Sequence, residues 1–220
     1  MKSEQCDVAV LTLLDREMRA VRSALQQMYD FHERHLSHGL LAPEAWLPAP
    51  GGRPIRVTAV QTHADVAGLA YRGLVDECRP PVVLLVGVAA GAAHPAIEVG
   101  DVVLSNEVLT PGGRFVSPPL RHRLDTFFAT VPAEQWRPGD DSYRVHRGPL
   151  GSEAVPRVLA VETSATAALH DAVRRDAGLH GWLTVRGIAD GFSGYDRAAR
   201  HAAEVMAMLL PHLGFDRPRD

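Results

Sequence analysis

Cysteine is nearly absent from this 220-residue chain: only Cys6 and Cys78 occur. Two cysteines argue against a disulfide framework, and they supply none of the paired CxxC spacings of a zinc site. A basic block is missing as well. The formal net charge is −3, without the electrostatic footprint of a nucleic-acid binder. No apolar run approaches the roughly 20 residues needed to span a bilayer. The first seven residues, Met1 to Asp7, contain no apolar signal segment. Internal repeats and low-complexity tails are also lacking. These absences lead to the expectation of a cytoplasmic protein with no nucleic-acid or membrane partner. What remains is an ordinary globular composition, 46% hydrophobic and 22% charged, at a length that suits one domain over residues 1–220.

The pattern is organised around Val82–Gly91. Five unbroken apolar residues, Val82 to Val86, read as a strand buried on both faces, and Gly87 to Gly91 read as the small-residue loop that follows. Removing side chains there lets a ligand approach the backbone. A second apolar run, Val8–Leu14, leads directly into Asp15–Leu25, where Met18, Val21 and Leu25 stand at helical spacing and Asp15 is placed to cap. Residues 30–54 suggest a hairpin or loop. Further strands are expected at 55–61, 102–105 (after a turn at Gly100-Asp101), 158–161 and 182–188, and helices at 64–78, 163–175 and 197–213. Residues 110–157 show no clear period. Strands alternating with helices predict an α/β fold, a central, mostly parallel mixed sheet flanked by helices.

Three acids stand near the expected strand ends: Glu17, Glu162 and Asp190. In an open α/β sheet the strand ends converge on one face, where ligands bind. Asp190 follows a buried strand and precedes Gly191. A carboxyl group there protonates a leaving group if partial burial raises its pKa; otherwise it caps a turn. Glu17 by position is a helix-start acid facing the macrodipole.

Taken in order, Val8–Val21, Val86–Ala92 with Val99–Val103, Leu159–Ser164 and Val185–Asp190 resemble the segments of the nucleoside phosphorylase and nucleosidase superfamily. The resemblance is nearest the methylthioadenosine/S-adenosylhomocysteine nucleosidase branch, and it runs from near the N-terminus to the last helix. It implies that Asp190 donates a proton to a departing purine and that Glu17 orients the attacking water. It also implies that Gly87, Val88, Ala89, Ala90 and Gly91 lie against sugar and base, and that the partner is a small nucleoside-like substrate. Homo-oligomers, commonly dimers, are implied too; no cofactor or metal is.

The sequence departs from that pattern at several points. Thr163 and Ser164 stand where the family has Met-Glu, whose carboxylate grips the ribose diol; hydroxyls cannot offer the same bidentate acceptor. Glu162 is out of phase to replace it unless the backbone bends. Gln61–Val66 replaces a Gly-x-Gly turn and puts His63 and Asp65 at the expected site mouth. The segment Gly148–Glu153 is short. Arg53, Arg56 and Arg114 form no pattern that matches a phosphate site, which favours hydrolysis over phosphorolysis. His32, His35 and His38 recur every three residues but lack the partners of a familiar metal set. Among the aromatics, Trp136 and Phe192 are stacking candidates and Phe192 the better one, whereas Trp182 belongs to the core.

The reading is thus a nucleosidase that hydrolyses an N-glycosidic bond, with Asp190 and Glu17 catalytic. Gly87–Gly91, His63, Glu162, Thr163, Ser164 and Phe192 are the expected substrate-binding residues. The alternatives are a ligand-binding or regulatory member with weakened catalysis, or the same scaffold turned to other chemistry on a related ligand.

Overall fold

A computed structural model describes residues 5–28, 30–36, 41–48, 53–91, 94–135, 141–162, 165–175, 181–191 and 194–213. The first half of the chain forms β1 (Val8–Thr12), α1 (Asp15–Gln26), β2 (Phe31–His35), β3 (Leu41–Leu47), β4 (Ile55–Gln61), α2 (Ala67–Cys78) and β5 (Val82–Gly91). Then come β6 (Val102–Ser105), β7 (Glu107–Thr110), β8 (Gly113–Val116), α3 (Arg121–Thr130), β9 (Glu134–Gln135), β10 (Tyr143–Arg147), β11 (Leu150–Gly151) and β12 (Ala160–Val161). The last elements are α4 (Ala165–Arg175), β13 (Gly181–Ala189) and α5 (Tyr195–Leu209), which ends in a short 3-10 turn, Leu210–Leu213.

The centre of the sheet is parallel, in the order β4-β1-β5-β13. Antiparallel pairings lie on both sides: β2-β3-β4 at one edge, and β6 against β13 at the other. Helices cover both faces, α1 packed on α5 and α2 on α4. Alternation along the strands divides the core accordingly. Val82, Leu84 and Val86 face the layer that holds Val21, Leu25, Val205 and Met206. Val83, Leu85 and Trp182 face the other, with Tyr71, Leu74 and Leu169. The expected α/β architecture, with its mostly parallel centre, is what the chain adopts.

Several local expectations need correction. The apolar run does not stop at Gly87: β5 stays extended to Gly91, because β13 pairs with it through Ala90 and β12 pairs with Ala90 and Gly91 from the other direction. Asp15 is the first helical residue and does not cap, since Leu14 holds the cap position; its carboxylate instead accepts from Gln61 Nε2 at 2.6 Å. The region without a period, 110–157, contains the hairpin β7-β8, helix α3 and strand β10. Helix α5 begins two residues earlier than expected, at Tyr195. His32 and His35 lie on a strand, so their odd spacing sends them to opposite faces rather than to one helical face. His38 lies outside the described residues.

Helix α5 can lie against β13 because Gly187 has no side chain. A Cβ there would stand 1.9 Å from the Ala198 carbonyl oxygen, closer than any real contact. Backbone therefore meets backbone at this crossing, just before the strand delivers Asp190.

Candidate active site

At the carboxyl end of β1 the chain turns through Leu13 and Leu14 into α1, which puts Glu17 in the first turn of the helix and over the end of the sheet. Glu17 is only 2% exposed. Its Oε2 accepts from the backbone N–H of Leu13 at 2.8 Å and of Leu14 at 3.0 Å. Its Oε1 accepts from Val88 N–H on β5 at 2.9 Å and from the Tyr195 hydroxyl on α5 at 2.8 Å. Every donor in this set is neutral, and three of the four are main-chain groups. The carboxylate is fixed by the two strand ends themselves.

Gly87 leaves the room for it. A Cβ on Gly87 would lie 2.3 Å from Glu17 Oε1 and 2.6 Å from Arg186 NH1. Arg186 is the register partner of Gly87 on the neighbouring strand and is fully buried. Its NH2 donates to Glu162 Oε1 at 3.0 Å. Among the described residues, its Nε and NH1 are buried without a hydrogen-bond partner. An uncompensated buried donor is expensive, and two on one guanidinium beside a carboxylate mark a place where an oxygen atom is wanted.

Glu162 is buried, 6% exposed, and lies just past β12. Its second oxygen accepts from Thr166 Oγ1 at 2.5 Å and from Thr166 N–H at 3.4 Å. The structure thus places it as the counter-ion of Arg186, tied to the first turn of α4. Asp190 extends β13 by one residue and shares the strand face of Arg186 and Ile188 by the two-residue period. It is exposed, so the partial burial expected around it is not supplied by the described protein residues. Val88 is half-buried, Ala89 buried, and Ala90 and Gly91 exposed at the strand's end. His63 is exposed and caps the 3-10 turn Ala64–Val66 before α2. Thr163, Ser164, Phe192 and Trp136 lie outside the described residues. Trp182 is 1% exposed, with its Nε1 donating to His170 Nδ1 at 2.9 Å, in keeping with a core role.

Two residues here were missed on the sequence. Arg186 carried a usable signal, since it is the one charged side chain inside the apolar run Trp182–Ala189. Tyr195 carried little, because it precedes the expected start of its helix. Its phenol is half-buried at that start, with Arg16 stacked 5.9 Å from the ring centroid. Burial, followed by the Glu17 charge and hydrogen bond, pushes its pKa well above that of an ordinary tyrosine.

The three arginines considered as phosphate contacts are engaged in ion pairs: Arg53 with Asp7 at 3.1 Å, Arg56 with Glu44 at 2.9 Å and Arg114 with Glu107 at 2.6 Å. Among the described residues, no group of three or more histidines, cysteines and acids is arranged to hold a metal ion. No described helix is long and apolar enough to cross a membrane.

The fold is shared with solved structures of nucleosidases. A 5′-methylthioadenosine/S-adenosylhomocysteine nucleosidase from Colwellia psychrerythraea 34H, in complex with adenine, superposes with a TM-score of 0.70 at 16% identity, over 97% of this chain and 98% of that one. The corresponding nucleosidase from S. pneumoniae, with a transition-state inhibitor, gives 0.71 at 16% identity, over 94% and 99%. Futalosine hydrolase of Helicobacter pylori gives 0.64 at 12% identity, over 94% and 97%. No protein-family model and no curated protein sequence matches the chain.

Proposed function

We propose that this chain hydrolyses the N-glycosidic bond of a purine nucleoside or nucleoside-like metabolite. The observation that carries the reading is Glu17: a buried carboxylate held by main-chain N–H groups at the meeting of two strand ends, beside a guanidinium with two unused donors. The likeness in fold to nucleosidases that bind adenine or a transition-state inhibitor supports the same reading.

Glycosidic cleavage passes through an oxocarbenium-like state, so an enzyme must neutralise the leaving base and place water at the anomeric carbon. In the proposed reaction Asp190 donates its proton to the purine nitrogen as the C–N bond breaks, and the bond's electron pair leaves with the base. The oxygen of a water molecule, held by Arg186 NH1 and polarised towards Glu17, forms the new bond to carbon. Its proton goes to the Glu17 side and later returns through solvent to Asp190. A bound purine would cover Asp190 and supply the burial that the described residues do not. Gly87, Val88 and Ala89 would form the wall on which sugar and base rest.

One observation favours the ligand-binding alternative. Both Glu17 oxygens already accept two hydrogen bonds each, which leaves no lone pair open to water.

Chromatographic detection of free base, from a panel of purine nucleosides that includes 5′-thio and deoxy sugars, tests the reading. Release without phosphate, abolished in Asp190→Asn, is expected. Silence across the panel with ligand still bound would replace hydrolysis by binding.

A further inference from the structure

The saturation of Glu17 leads to a specific role for Tyr195. We propose that the Tyr195 hydroxyl relays the proton of the nucleophilic water to Glu17; this rests on the hydrolytic reading above. The count of lone pairs drives the argument. Glu17 Oε2 is filled by Leu13 and Leu14, and one position on Oε1 by Val88, all main-chain donors that cannot move without unpicking β1, α1 or β5. Only the fourth donor, the Tyr195 hydroxyl at 2.8 Å, belongs to a side chain. That hydroxyl gives its one proton to Glu17 and keeps its own lone pairs. Its oxygen stands 2.8 Å from Glu17 Oε1, the atom that lies against Gly87, which puts it within reach of a site there. The phenol stays protonated, since burial and the Glu17 charge both oppose its ionisation.

The step balances as follows. Water oxygen bonds to the anomeric carbon while one water proton passes to the Tyr195 oxygen. The Tyr195 proton passes at the same time to Glu17 Oε1. The phenol is neutral before and after, Glu17 ends protonated, and the base leaves with the proton of Asp190. No other reactant is needed. Arg186 NH1, which has no partner among the described residues, holds the water oxygen on the side away from the phenol.

The test is Tyr195→Phe, which removes the hydroxyl and keeps the ring. A relay predicts kcat lower by about 100-fold, the low end for proton-transfer catalysis, with KM moved by no more than about threefold. It also predicts that Glu17→Gln/Tyr195→Phe is no slower than Glu17→Gln alone, because the two residues act in series. If Tyr195→Phe fails to fold, a fluorinated tyrosine placed at position 195 carries the test: the rate should follow the acidity of the phenol. Full or increased rate in Tyr195→Phe would make the hydroxyl a plug and overturn the relay while leaving hydrolysis intact, as would multiplicative losses in the double variant. No Asp190-dependent release by the unaltered protein would overturn hydrolysis itself, and the relay with it.

Discussion

Two of the buried glutamates, Glu44 and Glu17, are built in opposite ways. Glu44, fully buried on β3, is surrounded by two guanidinium groups, an imidazole and a hydroxyl: Arg56 NH2 at 2.9 Å, Arg34 NH1 at 3.8 Å, His32 Nε2 at 3.0 Å and Thr58 Oγ1 at 3.0 Å. Trp46 lies beneath, with Arg56 5.2 Å from its ring centroid. This cluster stitches β2, β3 and β4 into the edge of the sheet, and its charges answer one another. Glu17 is held by backbone and a neutral phenol, while the neighbouring guanidinium keeps two donors unused. A structural carboxylate is neutralised by side chains. Glu17, the one proposed to act on substrate, is fixed instead by main-chain dipoles.

The contrast is open to direct attack, and the largest effects belong to the Glu17 end. Asp190→Asn should remove turnover by three orders of magnitude or so, within the range for losing a general acid, with ligand affinity within about tenfold; free-base release and equilibrium binding measure the two. Gly87→Ala is next. A methyl 2.3 Å from Glu17 Oε1 must displace the carboxylate, so a loss of activity of more than about 100-fold is expected, with the ~1–3 kcal/mol destabilisation of overpacking, read from kinetics and denaturant melts. Glu44→Gln should do the reverse. Removing one partner of a buried ion cluster costs about 3–5 kcal/mol of stability, but kcat per folded molecule should be unchanged. A fall in kcat there would erase the distinction between the two sites.

A smaller effect is expected in acid. Trp182 Nε1 donates to His170 Nδ1, so that nitrogen must be unprotonated. Burial lowers the His170 pKa below its ordinary 6.5. The unfolded chain therefore takes up the proton first, and stability gained above pH 6.5 is lost as pH falls through the folded value. Thermal midpoints of the unaltered protein should fall faster below about pH 6.5 than those of His170→Asn, which retains an acceptor for the indole N–H but does not titrate.

The overall fold was legible because its elements carry local signals. Val8–Thr12, Val82–Val86 and Trp182–Ala189 are apolar enough to be buried strands whatever surrounds them. Glu17 was legible as an acid in the first turn of a helix after such a strand. Where the reading failed, the deciding contacts are distant in sequence. Gly87–Gly91 look like a loop, yet they stay extended because β12 and β13 supply their hydrogen bonds. Arg186 looks misplaced in its strand until Glu162, from 24 residues earlier, provides the counter-charge. Tyr195 gains its meaning only when α5 folds back over the sheet, 178 residues from the glutamate it meets. Helix α3 was hidden by its weak amphipathicity, with only Leu124 and Phe127 buried among the residues Arg121–Thr130.

The missing side chain at Gly187 has a geometric consequence. With the Ala198 carbonyl seated directly on the strand, β13 and the opening turn of α5 are joined backbone to backbone at one point. Asp190 stands at one end of the short span beyond that point and Tyr195 at the other. Both groups proposed to move protons thus branch from the same backbone crossing: Asp190 stands three residues after Gly187, and Tyr195 three residues before Ala198.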